Sequence, residues 1–232
     1  MSAVSGVLWI VVPYVAMTVF VVGHVWRYRV DQQSWGSRST QIFERRLLRW
    51  GTLLFHLGAF AAIGGHVLGL LVPVRVTEAM GISEAAYHVI SVTAGTLAGA
   101  AVVAGLAILL YRRTRVPRVR VTTTRIDVAT YALLTLVIGL GMLETVGVNL
   151  LGGGYDYRST VAIWFRGLFL LHPRPELMAS VPLVYQVHAL AAWLLFAFWP
   201  FSRLVHAWSL PAGYLVRPTI LYRRRLPHPR RG

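Results

Sequence analysis

Four histidines lie inside apolar stretches of sequence that are long enough to cross a lipid bilayer. His56 and His66 share one stretch, and His188 and His206 share another. Ionisable or metal-binding side chains are costly inside a membrane, so such residues are candidates for function. Imidazole nitrogen is a common metal ligand and holds the iron of many haem proteins. The four histidines therefore indicate either metal binding or proton transfer within the membrane.

The rest of the composition narrows the choice of metal centre. The chain has no cysteine, which excludes disulfides, iron–sulfur clusters and c-type haem attachment on this chain. It also has no H-E-x-x-H motif and no cluster of carboxylates, so nothing indicates a zinc site. We therefore predict two b-type haems, each held by two histidines. Because bis-histidine ligation leaves no open position on the iron, such haems transfer electrons and do not activate oxygen.

A flat porphyrin needs room between the helices that hold it. Small residues surround most of the four histidines, and we expect these residues to form the slot. They are Gly58, Gly64, Gly65 and Gly69 near the first two histidines, and Ala189, Ala191 and Ala192 near His188.

The elements that carry these residues are predicted to be five transmembrane helices. Mean hydropathy is +0.60 and only 13% of the residues are charged, whereas soluble domains carry roughly a quarter. Four stretches exceed the roughly 20 residues that a spanning helix needs and lack Asp, Glu, Lys and Arg, while a fifth is interrupted only by Glu144. The prediction is one all-α integral membrane domain over 1–232, with helices at about 4–28, 49–73, 85–111, 127–150 and 181–208.

Two further segments complete the predicted architecture. The first helix is expected to be retained rather than cleaved, because no basic residues precede it and no A-x-A site follows it. The longest connection, about 151–181, contains several glycines and prolines and is expected to be irregular, with one short amphipathic piece at 161–171.

The arginines predict which way the chain faces. All 23 basic residues are arginine, and most lie between helices 1 and 2, between helices 3 and 4, or at and beyond the end of helix 5. Cytoplasmic loops carry the excess of positive charge, so we expect the N-terminus outside and the C-terminus in the cytoplasm. Only four arginines occupy the other side: Arg75, Arg158, Arg166 and Arg174.

The net charge of +15 has two interpretations besides topology. Nucleic-acid binding is disfavoured, because these arginines flank bilayer segments in short loops and no recognition module is present. Docking of a soluble redox partner on the inner face is the other interpretation. Arg112, Arg113 and the tail Arg223-Arg224-Arg225 would contribute to that surface.

Depth in the membrane predicts how the histidines pair. Helix 2 runs outward and helix 5 runs inward, and at about 1.5 Å per residue His66 and His188 lie at similar depths below the outer surface. His56 is one to two turns from the inner end of helix 2, and His206 is at the inner end of helix 5. The predicted pairs are therefore His66 with His188 for an outer haem, and His56 with His206 for an inner haem.

The spacing within each helix does not match across the two helices. The ten residues from His56 to His66 span about 15 Å, whereas the eighteen from His188 to His206 would span about 27 Å of straight helix. Tilted helices or a bend at Gly64-Gly65 are expected to reconcile the two spacings.

The sequence resembles the gamma subunit, or cytochrome b subunit, of respiratory nitrate reductase. The resemblance covers nearly the whole chain and rests on three blocks. They are Phe55-His56-Leu57-Gly58 through Gly65-His66 to Pro73, Pro117 to Thr124, and the decapeptide Pro200-Phe201-Ser202-Arg203-Leu204-Val205-His206-Ala207-Trp208-Ser209.

The resemblance implies five helices, the same two histidine pairs, and oxidation of menaquinol or ubiquinol near the outer haem. Electrons would pass to an iron–sulfur beta subunit and then to a molybdenum alpha subunit that reduces nitrate, in the cell membrane. The candidate quinol site comprises Gly65, His66, Tyr87 and His88. Family members place a lysine at the start of helix 3, where this chain has Ala85-Ala86-Tyr87-His88.

Two alternatives remain at this point. One is a di-haem cytochrome that serves another membrane oxidoreductase, such as a thiosulfate or heterodisulfide reductase. The other is a small transporter whose membrane histidines relay protons.

Overall fold

Five long helices form the described structure, and each is long and apolar enough to cross a membrane. The computed structural model describes residues 3–31, 34–36 and 38–208, and no strand occurs among them. The tail arginines 223–225, which were expected to contribute to the surface that docks a redox partner, lie outside the described residues. The first four spans are the helices α1 (Val4–Val30), α2 (Arg46–Leu71), α3 (Glu84–Arg115) and α4 (Arg125–Leu151). The fifth span is Leu183–Phe201, and its α-helical part is α5 (Leu183–Phe198).

The predicted all-α fold with five helices that are apolar enough to span a membrane is therefore confirmed, and the first four helices begin and end within about four residues of their predicted bounds. The expected amphipathic piece is a helix at Val161–Phe169. Shorter helices that were not predicted occur at Val74–Ala79, Pro117–Arg120 and Pro175–Ser180.

Side chains at the helix ends explain where α3 and α4 begin. The Ser83 hydroxyl accepts a hydrogen bond from the Ala86 amide and caps α3. Thr124 and Asp127 form a reciprocal capping box at the start of α4. The basic residues in the last turn of α3 suit the negative end of its dipole.

The fifth helix differs from its predicted extent of 181–208. Its α-helical part ends at Phe198, and 3₁₀ turns follow at Trp199–Phe201 and Arg203–Trp208. Pro200 lacks an amide proton and its ring clashes with the preceding turn, so the α-helix cannot continue through it. Ser202 between the two 3₁₀ turns is extended. A continuous helix to 208 was therefore wrong.

Glycines allow α2 and α3 to pack along each other at short range. A Cβ atom added at Gly105 would lie 2.3 Å from the Phe55 amide nitrogen and 2.8 Å from the Gly51 carbonyl oxygen. A Cβ at Gly58 would lie 2.6 Å from the carbonyl oxygen of Ala98. These contacts are with backbone, so the two helices could not approach this closely with any other residue.

We expect Gly105→Ala to destabilise the protein by about 1–3 kcal/mol or more, because the added methyl group must push α2 and α3 apart. The thermal unfolding temperature of the purified protein should fall. Gly139→Ala in α4 is the matched control, because a Cβ there meets no atom within 4 Å. Equal unfolding temperatures for the two variants would contradict this role of Gly105.

The opposite side of the bundle is built around α1 and α5. At one end of the molecule, the helix Val161–Phe169 packs over this pair, and the Trp164 indole donates to the carbonyl oxygen of Trp9 at 2.8 Å. Met178 and Tyr185 complete the same core. Large apolar side chains remain exposed along the outer faces of the spanning helices, as expected for surfaces that contact lipid.

Candidate haem-binding site

The two histidine pairs predicted from depth lie opposite each other in the structure. The rings of His66 and His188 have their centres 6.2 Å apart and are nearly parallel, with an interplanar angle of 14°. The rings of His56 and His206 have their centres 6.0 Å apart, at an angle of 69°. The structure therefore brings together the same residues as the sequence argument.

The break in α5 resolves the mismatch in spacing. The α-helix that carries His188 ends at Phe198, so the eighteen residues from His188 to His206 do not form one straight α-helix. The 3₁₀ turns after Pro200 then place His206 beside His56. The α-helical part of α2 continues through Gly64-Gly65 to His66, so the irregularity lies in the fifth helix instead.

The separation of the rings suits a single metal ion between each pair. An imidazole nitrogen lies about 2 Å from a first-row metal, and the ring centre lies roughly 1 Å further away, so two imidazoles on opposite sides have centres about 6 Å apart. No group of three or more His, Asp or Glu that could hold a metal lies within the described ranges. Two protein ligands are enough for haem, whose macrocycle supplies the others.

Hydrogen bonds at Nδ1 leave the Nε2 atom of three histidines available to bind a metal. The Nδ1 atoms of His56, His66 and His206 lie 2.8, 2.7 and 2.6 Å from backbone carbonyl oxygens on the preceding turn. A carbonyl oxygen can only accept, so Nδ1 carries the proton and Nε2 keeps its lone pair for a metal.

Open space accompanies the outer pair. A Cβ added at Gly64 or Gly65 would meet no atom within 4 Å, and within residues 38–208 the helices α2 and α5 do not pack closely on each other. Glycine weakens a helix, so two adjacent glycines without a close neighbour fit a flat group lying against them.

Two other glycines have a different role from the one predicted. Gly58 faces α3, and Gly69 packs against the Tyr157 hydroxyl, to which an added Cβ would approach within 2.5 Å. The prediction that both would widen the slot was wrong, because their small size serves contacts with α3 and with the 152–160 loop.

The 3₁₀ segment that carries His206 is held by charged residues to which the sequence analysis gave no role in positioning the histidine. Arg27 donates to the carbonyl oxygens of Pro200 and Ser202 at 2.6 and 2.8 Å. Asp127, at the start of α4, is buried and forms an ion pair with the partly exposed Arg203. Arg27 and Asp127 lie at the ends of the predicted helices 4–28 and 127–150, and a charged residue included at the end of a predicted span is the signal that would have marked them.

Tyr87, one of the predicted quinol-site residues, belongs to a polar cluster at the end of the bundle nearer the outer pair. Its hydroxyl lies 3.3 Å from that of Tyr157, and the guanidinium of Arg158 lies 3.9 Å from the centre of its ring. Arg158 is buried and pairs with Glu84 at 2.6 Å. Burial raises the pKa of Tyr157 well above its ordinary value, so this hydroxyl stays protonated.

His88 occupies a different position from the other candidate quinol residues. It is exposed, and its Nε2 atom lies near Gly154 in the loop after α4. Within the described residues its ring makes no hydrogen bond or ring contact with His66. The structure therefore brings together Tyr87 and Tyr157 more directly than His66 and His88.

Five spanning helices with two opposed histidine pairs define a multi-pass membrane protein. A profile of the nitrate reductase gamma subunit family matches residues 5–225. The chain is 42% identical over 219 residues to the nitrate reductase gamma chain of Bacillus subtilis, covering 94% of this chain and 98% of that protein. It is 32% identical over 214 residues to the respiratory nitrate reductase 1 gamma chain of Escherichia coli, covering 92% and 94%.

The chain therefore belongs to the nitrate reductase gamma subunit family, and the resemblance noted in the sequence is confirmed. It is also 48% identical over 228 residues to the nitrate reductase-like protein NarX of Mycobacterium tuberculosis, covering 96% of this chain. The chain spans 35% of the length of that relative.

Proposed function

We propose that this chain is the membrane anchor and quinol-oxidising subunit of a respiratory nitrate reductase, and that it binds two b-type haems. The observation that carries the proposal is the pair of opposed histidines at each of two depths, with ring centres 6.2 and 6.0 Å apart. Membership of the gamma subunit family supports it.

Each haem would be held by one histidine from α2 and one from the fifth helix. His66 and His188 would hold the outer haem, and His56 and His206 the inner haem. When bound, the two haems supply one-electron carriers between quinol on the outer side and an iron–sulfur partner on the inner side. The carbonyl oxygens that accept from Nδ1 would orient three of the four rings.

The orientation proposed for the chain follows from the distribution of arginine. The end of the bundle that contains the inner pair also carries Arg27, Arg112, Arg113 and Arg203. We assign this basic end to the cytoplasm, with the N-terminus outside, in the cytoplasmic membrane. An iron–sulfur beta subunit would dock there, with a molybdenum alpha subunit beyond it.

The quinol site proposed here lies at the opposite end, beside the outer pair. Gly65 leaves open space, His66 lies next to it, and Tyr87 lies at the start of α3. Oxidation of a quinol requires a group that accepts a hydroxyl proton, and a histidine with an ordinary pKa of about 6.5 suits this step. His88 is the candidate acceptor, since it is exposed and is not one of the proposed iron ligands.

The test is quinol-dependent haem reduction by the purified protein, followed in its visible spectrum. Wild-type protein should be reduced by menaquinol or ubiquinol analogues. We expect His88→Ala to slow this reduction several-fold while dithionite still reduces both haems completely. His172→Ala, which alters another exposed histidine of the outer connection, is the control.

Three results would count against parts of the proposal. A purified protein without haem would remove the central claim. Unaltered quinol kinetics in His88→Ala would exclude His88 as the proton acceptor. Co-purification with subunits that lack molybdenum and nitrate-reducing activity would favour a different membrane oxidoreductase.

A further inference from the structure

His188 differs from the other three paired histidines in what its second ring nitrogen contacts. The others place Nδ1 against a backbone carbonyl oxygen of their own segment. The Nδ1 atom of His188 is buried and has no hydrogen-bond partner in the described part of the chain. A buried ring nitrogen without a partner is costly, so its surroundings are informative.

Glu144 of α4 is the polar group that faces this nitrogen. Its Oε1 atom lies 3.8 Å from Nδ1 of His188, and both side chains are about 85% buried. Oε1 also lacks a hydrogen-bond partner among the described residues. A separation of 3.8 Å is longer than a hydrogen bond, and a small side-chain rotation would bring the two atoms within bonding range.

The backbone around Glu144 is arranged to present it to α5. A π-helical segment begins at Leu143, one residue before Glu144, and such wide turns often occur at functional sites. The Asn149 side chain donates to the Glu144 carbonyl oxygen at 2.8 Å and secures this segment. One turn earlier, a Cβ at Gly141 would lie 3.0 Å from the His188 ring, so glycine makes room for the imidazole.

We propose that a carboxyl oxygen of Glu144 accepts a hydrogen bond from Nδ1–H of His188, and thereby fixes the ring and tunes the outer haem. This inference rests on the proposed ligation of that haem by His188. Histidines that ligate a metal almost always donate their other N–H group to a carboxylate, a backbone carbonyl or water. Glu144 supplies the carboxyl version of this contact, while the other three histidines use the backbone.

The kind of acceptor that faces Nδ1 should affect the midpoint potential of the haem. An ionised carboxylate as acceptor strengthens electron donation by imidazole more than a backbone carbonyl does, which favours the oxidised iron and lowers its midpoint potential. Glu144 therefore makes the outer haem the weaker oxidant of the two. Electron transfer from the outer to the inner haem is then favourable, in agreement with the proposed direction of flow.

The test is a spectropotentiometric titration of the purified full-length protein and its Glu144→Gln and Glu144→Leu variants. Gln keeps an oxygen acceptor at the same position, and Leu removes it. We expect the outer-haem midpoint potential to rise in the order wild type, Gln, Leu. The shift in the Leu variant should be on the order of tenfold in the electron-exchange equilibrium between the haems, or about 59 mV for one electron.

The inner haem should titrate unchanged in both variants, and the low-spin EPR signal of the oxidised outer haem should shift. Thr145→Val is the control, because Thr145 lies in the same π segment but packs against Gly95 of α3. It should leave both potentials unchanged. An unmoved outer-haem potential in Glu144→Leu, or equal shifts of both haems, would overturn the inference.

Different results would refute the proposed function rather than the role of Glu144. Wild-type protein without haem, or loss of different haems in His66→Ala and His188→Ala, would refute the ligation on which the inference rests. The component that disappears in His66→Ala also identifies which titration wave belongs to the outer haem.

Discussion

Replacing either histidine of a pair is expected to remove the same haem. His66→Ala and His188→Ala should each lower the haem content from two per protein to one, with identical spectra for the haem that remains. His56→Ala and His206→Ala should each remove the other haem. Each substitution would leave the proposed haem iron with one protein ligand, and b-type haem has no covalent attachment to retain it. Pyridine haemochrome assays and reduced-minus-oxidised spectra measure the result.

The matched control is His24→Ala. His24 also lies in a spanning helix, and its Nδ1 atom also contacts a backbone carbonyl oxygen, that of Phe20 at 2.6 Å. Its ring, however, contacts the aromatic rings of Phe20, Trp35 and Trp208, and among the described residues it contacts no second histidine. His24→Ala should retain two haems. A variant set in which His66→Ala and His188→Ala remove different haems would refute the pairing.

The pairing of the histidines could be predicted from the sequence because it depends only on the depth of each histidine in the membrane. Helix count, direction and rise per residue place each histidine at a depth, and these follow from hydrophobic length and loop charge. The same reasoning failed at 199–208, because a uniform rise was applied to a segment that contains Pro200. A proline within the apparent span was the available sign that the α-helix would end there.

The contacts of single side chains could not be predicted in the same way. Gly58 and Gly65 look alike in sequence, yet one packs against α3 and the other faces open space. The choice depends on which face of α2 meets α3, and that follows from tertiary packing. Glu144 was noted only as an interruption of an apolar stretch, since nothing in the sequence places it opposite His188.

Substitution of Asp127 is expected to cause the second large loss of haem, because its side chain links α4 to the segment that carries His206. Asp127 is 2% exposed and accepts from the Arg203 guanidinium and from the Thr124 amide. Arg203 in turn offers its carbonyl oxygen to Nδ1 of His206 at 2.6 Å. Asp127 is therefore positioned to hold the 3₁₀ turn in which His206 lies.

We expect Asp127→Ala to cost about 1–3 kcal/mol in the stability of this end of the bundle, because Arg203, which is partly exposed, loses its charged hydrogen bonds to a buried carboxylate. The inner haem should then be lost while the outer haem is retained, since His66 and His188 lie farther along the bundle. Haem content and redox titration measure this selective loss, and limited proteolysis should show faster cleavage near residue 203.

Asp127 also caps α4, so the two roles must be separated. Thr124→Ala removes the other half of the capping box, which costs about 1 kcal/mol, and leaves the ion pair between Asp127 and Arg203 intact. If the ion pair holds His206, Thr124→Ala keeps both haems and Asp127→Ala does not. If capping alone matters, the two variants lose the inner haem to the same extent. Full retention of both haems in Asp127→Ala would show that the segment from Trp199 to Trp208 is held by other contacts, of which those from Arg27 are the strongest candidates.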